Sequence, residues 1–280
     1  MLRRVLLTSF VVAAALGLGA CRYLDPDFGF AVTTDIVYGD AINEDGVLED
    51  LQLDLYTPTN DTNTNRPVVI WAHGGGFWMG DKASGASWAR EYARRGYVAA
   101  SINYRMDEEA GGVNVPLDAY EMERISWAVS DMKAAVRWFR ANAASLGVDP
   151  NRIAVGGASA GAVTALTTAV SPDEPGDTGD HTAYSNAVCT AISVSGASEP
   201  ALADAGDAGA IFFHGDQDTV VPYALATATR DAMQAAGLPT RFYTYTGSGH
   251  GLGSTHMADM LAKTYPWLLQ HLVNAPEPCL

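Results

Sequence analysis

The chain has 280 residues, 48% of them hydrophobic and 18% charged, with a formal net charge of −15. That length and composition suit one large α/β domain with a full core and exclude a disordered chain. No basic face or basic run is present, which excludes nucleic acid as a partner; the acidic excess reads as a solvated surface that aids solubility.

The first twenty residues stand apart. Leu2-Arg3-Arg4 is a basic start, Val5 to Leu18 is an almost uninterrupted apolar run, and Leu18-Gly19-Ala20-Cys21 follows. Such a run is short for a membrane span and suits the core of a signal peptide. Residues 1–20 are therefore expected to be a signal peptide and residues 21–280 a single domain. A cysteine directly after a small-residue cleavage site resembles the lipobox of bacterial lipoproteins, which implies that Cys21 carries lipid. A plain secretory signal with an incidental cysteine is the other reading. Both mean export from a bacterial cell, as a membrane-anchored lipoprotein or a periplasmic or secreted protein. Membrane contact is expected only through the N-terminal anchor. The remaining cysteines, Cys189 and Cys279, can form one disulfide in an exported protein, clipping the C-terminal tail to a strand.

Next come two strands joined at Asp45-Gly46, a hairpin signal. The first runs within residues 28–39. In the second, Leu48 to Tyr56, leucines alternate with polar residues as in a half-exposed strand. From Pro67 the texture changes. Buried strands are expected at residues 68–72, 97–104, 153–156, 188–194, 211–213 and 241–245. Helices are expected at residues 87–95, 125–146, 160–170, 222–236 and 256–272. Residues 106–120, 171–185 and 197–209 read as loops. Strands alternating with amphipathic helices predict an α/β fold, a mostly parallel sheet of about eight strands with helices on both faces. Asp173, Asp177 and Asp180 miss the spacing of a calcium loop, so no metal site is expected.

Four loops at strand ends carry the chemistry. Gly157-Ala158-Ser159-Ala160-Gly161 fits G-x-S-x-G between a strand and a helix, where a tight turn lifts a serine hydroxyl clear of the sheet. His73-Gly74-Gly75-Gly76 follows the strand ending at Ala72, and its glycines let N–H groups point inward at a developing oxyanion. His214-Gly215-Asp216-Gln217-Asp218 offers two acids that could fix a histidine tautomer. Gly247-Ser248-Gly249-His250-Gly251 frames a histidine that could serve as the base. Of the other histidines, His181 and His271 read as surface, His256 as structural, and His73 and His214 as loop supports. The order serine, acid, histidine is that of the α/β-hydrolase triad.

These motifs, with Asn103-Tyr104-Arg105 and Asp131-Met132-Lys133-Ala134-Ala135-Val136-Arg137-Trp138, resemble the α/β-hydrolase fold serine esterases. The likeness is to the hormone-sensitive-lipase-like and bacterial feruloyl- or carboxylesterase branches. The resemblance covers most of the chain after the signal. It implies Asp218 as the acid beside Ser159 and His250, and oxyanion donors from the backbone of Gly75, Gly76 and Ala160. The chemistry of these groups needs no metal or organic cofactor. Lipase-like relatives carry a helical cap, whereas residues 196–209 leave room for only a minimal one. The expected activity is hydrolysis of short-acyl or aryl esters, free or attached to a polymer, through an acyl-enzyme. An exported serine peptidase or a formamidase-like amidase on the same fold is the alternative.

Overall fold

A computed structural model describes residues 22–25, 28–109, 111–112, 118–173, 180–275 and 279. The signal segment and Cys21 lie outside the described residues. Eight strands form one sheet: β1 (Gly29–Ile42), β2 (Leu48–Thr59), β3 (Arg66–Ala72), β4 (Val98–Ile102), β5 (Val148–Ala158), β6 (Thr190–Val194), β7 (Gly209–Gly215) and β8 (Thr240–Tyr245). Their order is β1-β2-β4-β3-β5-β6-β7-β8. β1 pairs antiparallel with β2 and β2 with β4; every other pairing is parallel. Five helices of eight residues or more accompany the sheet: α1 (Ala86–Ala93), α2 (Ala119–Ala141), α3 (Ala160–Ala169), α4 (Tyr223–Ala235) and α5 (Met257–Leu268).

Strands β3, β4, β6 and β7 are buried from end to end because both faces are covered. Successive side chains of a strand point to opposite faces, and the sequence uses both. Val68, Ile70 and Ala72 of β3 join a core layer with Met132, Val136 and Phe139 of α2 and Leu166 of α3. Val69 and Trp71 join the other layer, with Trp88 and Tyr92 of α1 and Leu261, Tyr265 and Leu268 of α5. β7 divides the same way, Phe212 to the first layer and Phe213 to the second. Each such fully buried large side chain is worth about 1.5–3 kcal/mol.

Strand order positions the site. The chain leaves β3 for β4 on one side, then returns past β3 to β5 on the other. The helix after β3 covers one face and the helix after β5 covers the opposite face. The crevice where such a sheet changes winding direction is where ligands bind in open α/β sheets. Here it opens between the exits of β3 and β5.

The edge hairpin is tied down by charge. At a register shift between Thr33 and Ile36, Asp35 takes a left-handed φ of 57°. Its N–H donates to Asp54 at 3.1 Å, and Lys82 Nζ lies 2.8 Å from Asp35 and 3.0 Å from Asp54. The bulge therefore sits on a buried lysine.

β5, expected at residues 153–156, runs over Val148–Ala158, and both ends of α2 differ from expectation. α2 starts at Ala119 rather than Ile125, because Asp118 and Glu121 form a capping box: Asp118 accepts from the N–H groups of Tyr120 and Glu121, and Glu121 accepts from Asp118 N–H. It ends at Ala141, and a separate turn, Ala143–Leu146, closes on Gly147 at φ 63°. His271, expected at the surface, lies 3.9 Å from the Trp267 ring between centroids, and burial pushes its imidazole below the usual range. Cys189 and Cys279 are joined by a disulfide with a Cα–Cα distance of 4.9 Å. Arg140 braces that tail, donating to Ala187 and Cys279 carbonyls at 2.7 Å each. Among the described residues no helix is long and apolar enough to cross a membrane.

Candidate active site

β5 delivers Ser159 on a strained turn, at φ 54° and ψ −119°. The crowding that this turn creates explains its glycines. A Cβ on Gly157 would lie 2.3 Å from Gly161 carbon, and one on Gly161 would lie 2.2 Å from the Ala72 carbonyl oxygen. No rotamer relieves a clash with backbone, so both positions exclude a side chain. Ser159 N–H is occupied by the Val194 carbonyl at 2.9 Å, which anchors the turn to β6. The Ala160 N–H stands at the start of α3, where helix N–H groups lack internal acceptors.

The triple-glycine loop wraps beside this turn. A Cβ on Gly74 would meet the Ala158 carbonyl at 3.0 Å and Ser159 Cβ at 3.3 Å. Gly75 has φ 133°, and a Cβ there would overlap the Met79 carbonyl oxygen at 1.6 Å. The N–H groups of Gly75, Gly76 and Ala160 donate to no backbone acceptor among the described residues. His73 supports the loop, as expected. It is 1% exposed, its Nδ1 lies 2.7 Å from Gly74 O, and its ring stacks on Tyr104 at 4.4 Å. Tyr104 in turn donates its hydroxyl to His73 O at 2.8 Å.

Three loops bring the polar side chains into a line. His250 Nε2 lies 2.7 Å from Ser159 Oγ, and His250 Nδ1 lies 2.8 Å from Asp218 Oδ2. Asp218 Oδ1 accepts from Val220 N–H at 2.9 Å and Val221 N–H at 3.0 Å. Of the two acids left open by the residues, Asp218 therefore meets the histidine. Asp216 instead accepts from Gly247 N–H at 2.7 Å and pins the histidine loop. Burial opposes ionisation of Asp218, but hydrogen bonds from His214 and His250, the His250 charge and the Val220 N–H together hold its carboxyl well below the usual range. The His250 side chain is 24% exposed and that of Asp218 fully covered. A nucleophile, a base and a shielded acid are thus lined up in hydrogen-bonding reach, with free N–H groups beside the serine. That set can activate a hydroxyl and stabilise an oxyanion.

Two contributors were not legible as such in the sequence. Ser195, at φ 56°, donates its hydroxyl to His250 O at 3.1 Å and its backbone N–H to Phe213 O at 2.8 Å. His214 Nε2 lies 3.2 Å from Asp218 Oδ2. His256 fits its structural role, packing on Tyr245 at 4.6 Å. A surface groove of about 990 Å³ between α1 and α5, lined by Arg90, Arg94, Met257, Leu261 and Tyr265, contains none of the residues just described. Among the described residues, no group of three or more His, Cys, Asp or Glu side chains could hold a metal ion.

Comparison with known proteins places this geometry. A BD-FAE family model matches residues 53–199, just over half of the chain, and a Prolyl oligopeptidase family model matches residues 195–275. Carboxylesterase 1C of Rattus norvegicus is 35% identical over 123 residues, 44% of this chain and 22% of that protein. Fumonisin B1 esterase of Sphingopyxis macrogoltabida is 34% identical over 120 residues, 42% of this chain and 22% of that protein. The aligned part spans about a fifth of the length of these curated relatives. A thermophilic esterase from the planctomycete Thermogutta terrifontis, solved with propionate bound, superposes with a TM-score of 0.69 and 27% identity, covering 86% of this chain and 94% of that one. The chain belongs to the BD-FAE family and has the α/β-hydrolase fold.

Proposed function

We propose that this protein is a serine carboxylic-ester hydrolase that works through Ser159, His250 and Asp218. The observation that carries the reading is the unbroken hydrogen-bonded line from Ser159 Oγ through both His250 nitrogens to Asp218. In the mechanism, His250 Nε2 takes the Ser159 proton as Oγ attacks the ester carbonyl carbon. The oxyanion is received by the N–H groups of Gly75, Gly76 and Ala160. The imidazolium, steadied by Asp218, gives its proton to the leaving alcohol as the C–O bond breaks. Water then attacks the acyl-enzyme by the same proton route, and the acid is released.

A short-acyl or aryl ester, free or attached to a polymer as for a feruloyl esterase, is the proposed substrate. Support comes from the small segment between β6 and β7, which holds one 3₁₀ turn (Pro200–Leu202) where a helical cap would sit. It also comes from the Thermogutta esterase, solved with propionate and with butyrate bound. On p-nitrophenyl esters from C2 to C16, activity should peak at short chains. A peak at C12 or longer would overturn the substrate class. The Prolyl oligopeptidase match over residues 195–275, which includes Asp218 and His250, favours a peptidase or amidase as the second reading. Turnover of peptide or formamide substrates without ester turnover would decide for it.

Export follows from residues 1–20, with Cys21 as the lipidated residue. Radiolabelled palmitate should enter the full-length protein in a bacterial host and be lost in Cys21→Ala. Equal labelling of the two would remove the lipoprotein reading.

A further inference from the structure

We infer that His214 is a positioning residue for Asp218, a second imidazole that fixes the carboxylate on which His250 turns; this rests on the esterase reading above. His214 is the penultimate residue of β7, is 1% exposed, and points its ring into the loop that carries Asp218. Its Nε2 lies 2.9 Å from the Val221 carbonyl oxygen. A carbonyl only accepts, so Nε2 bears the proton. Asp218 Oδ2 lies 3.2 Å from that same nitrogen, and it is the oxygen that meets His250 Nδ1 at 2.8 Å. The Nε2–H is engaged by Val221 O and stands beside the carboxylate oxygen, which thus lies between two imidazoles.

Packing alone does not account for an imidazole here. The neighbouring rings are Phe242 at 6.5 Å and Tyr223 at 6.0 Å between centroids. His214 Nδ1 is buried and has no hydrogen-bond partner among the described residues. A phenyl ring would fill the same space without leaving a buried polar atom unsatisfied, which has a cost of its own. What the imidazole adds is the Nε2–H. That group closes the loop on itself through Val221, whose own N–H donates to Asp218 Oδ1. Asp218 then cannot swing without breaking the loop.

The N–H also moderates the charge that His250 feels. Among the described residues, the titratable groups facing His214 are Asp218, His250 across the carboxylate, and Tyr223 from α4; Phe242 of β8 is apolar. With the donor removed, the less neutralised carboxylate holds the His250 imidazolium more tightly. The acid limb of the rate profile should then move to higher pH, because His250 must lose its proton to act as base.

The test compares wild type, His214→Phe and His214→Gln, whose amide can present a donor where Nε2–H stands. On p-nitrophenyl butyrate, His214→Phe should lower kcat about tenfold with KM nearly unchanged. Its acid limb should rise by about half a pH unit. The low-field proton resonance of His250 Nδ1–H, assigned by its absence in His250→Ala, should shift and broaden. His214→Gln should move all three readouts back toward wild type. If His214→Phe does not fold, His214→Asn, too short to reach, serves as the variant without the donor. A variant lacking the donor with wild-type kcat, limb and resonance would overturn the assignment, as would a His214→Gln no better than it. Absence of ester turnover by wild type would sink the esterase reading, while the resonance comparison would still decide the role of His214.

Discussion

Asp131 and Asp218 are two carboxylates with nearly the same burial, 1% and 6% exposed, and opposite uses. Asp131 on α2 faces Arg105. It accepts from Arg105 N–H at 2.7 Å and from the guanidinium Nε at 3.0 Å and Nη2 at 2.7 Å. The same guanidinium reaches the Ile42 carbonyl at 3.0 Å, so the pair ties α2, the loop after β4 and the edge hairpin together. Asp218 faces His250, which faces Ser159. Both carboxylates are saturated with donors, yet burial outweighs them at Asp131 and raises its carboxyl, whereas at Asp218 the donors outweigh burial and lower it. The partner separates their uses. A guanidinium keeps its proton in proteins, whereas an imidazole can take one and return it. A buried carboxylate beside a fixed cation is a clamp; beside a switchable base and a hydroxyl it becomes part of a proton route.

Mutations can break that distinction, in order of expected effect. Ser159→Ala should lower kcat about 10⁶-fold, roughly 8 kcal/mol of barrier, with little change in the midpoint of thermal unfolding. Ester assays and melting curves on the same preparation check both halves. Asp218→Asn should lower kcat about 10⁴-fold, since an amide cannot fix the required tautomer of His250. Asp131→Asn should invert the pattern. It leaves a buried guanidinium short of its counter-charge, so urea unfolding should show a loss of about 3–5 kcal/mol. Its kcat per folded molecule should stay within about threefold of wild type. Replacing Cys189 and Cys279 together with serine should cost about 2–4 kcal/mol of stability and leave kcat alone, because that bridge lies at the opposite end of β5 from Ser159.

The smallest effect concerns pH. Because the Asp218 carboxyl is held below its ordinary value, its contribution to stability is complete above about pH 4 and lost as pH falls toward the folded value. Asp218→Asn lacks that contribution. The stability gap between wild type and the variant should therefore narrow below pH 4 in unfolding curves taken across the acid range. A constant gap would mean that the carboxylate is not held as described.

The parts legible in sequence were those with local signals. The buried strands β3 to β7 appear as apolar runs, and the hairpin as alternating leucines after Asp45-Gly46. The Ser159 turn is legible because its two glycines are forced by backbone clashes within the β5–α3 turn and with β3. The choice between Asp216 and Asp218 was not legible from residue types alone, since it depends on where a loop from β8 meets a loop from β7. Ser195 stayed hidden for the same reason, since it acts on His250, 55 positions away. His214 was legible as a loop support, which its contact with Val221 O matches, but its approach to Asp218 four positions on was not. The earlier start of α2 was available in Asp118-Ala119-Tyr120-Glu121, a capping box read as part of a loop.

Covalent labelling tests the central claim most directly. A fluorophosphonate probe should place a single adduct on Ser159 when the protein is digested and mapped by mass spectrometry. The adduct should be absent in Ser159→Ala and slow to form in Asp218→Asn. An adduct on another serine, or undiminished labelling of Ser159→Ala, would contradict the assignment of Ser159 as the nucleophile.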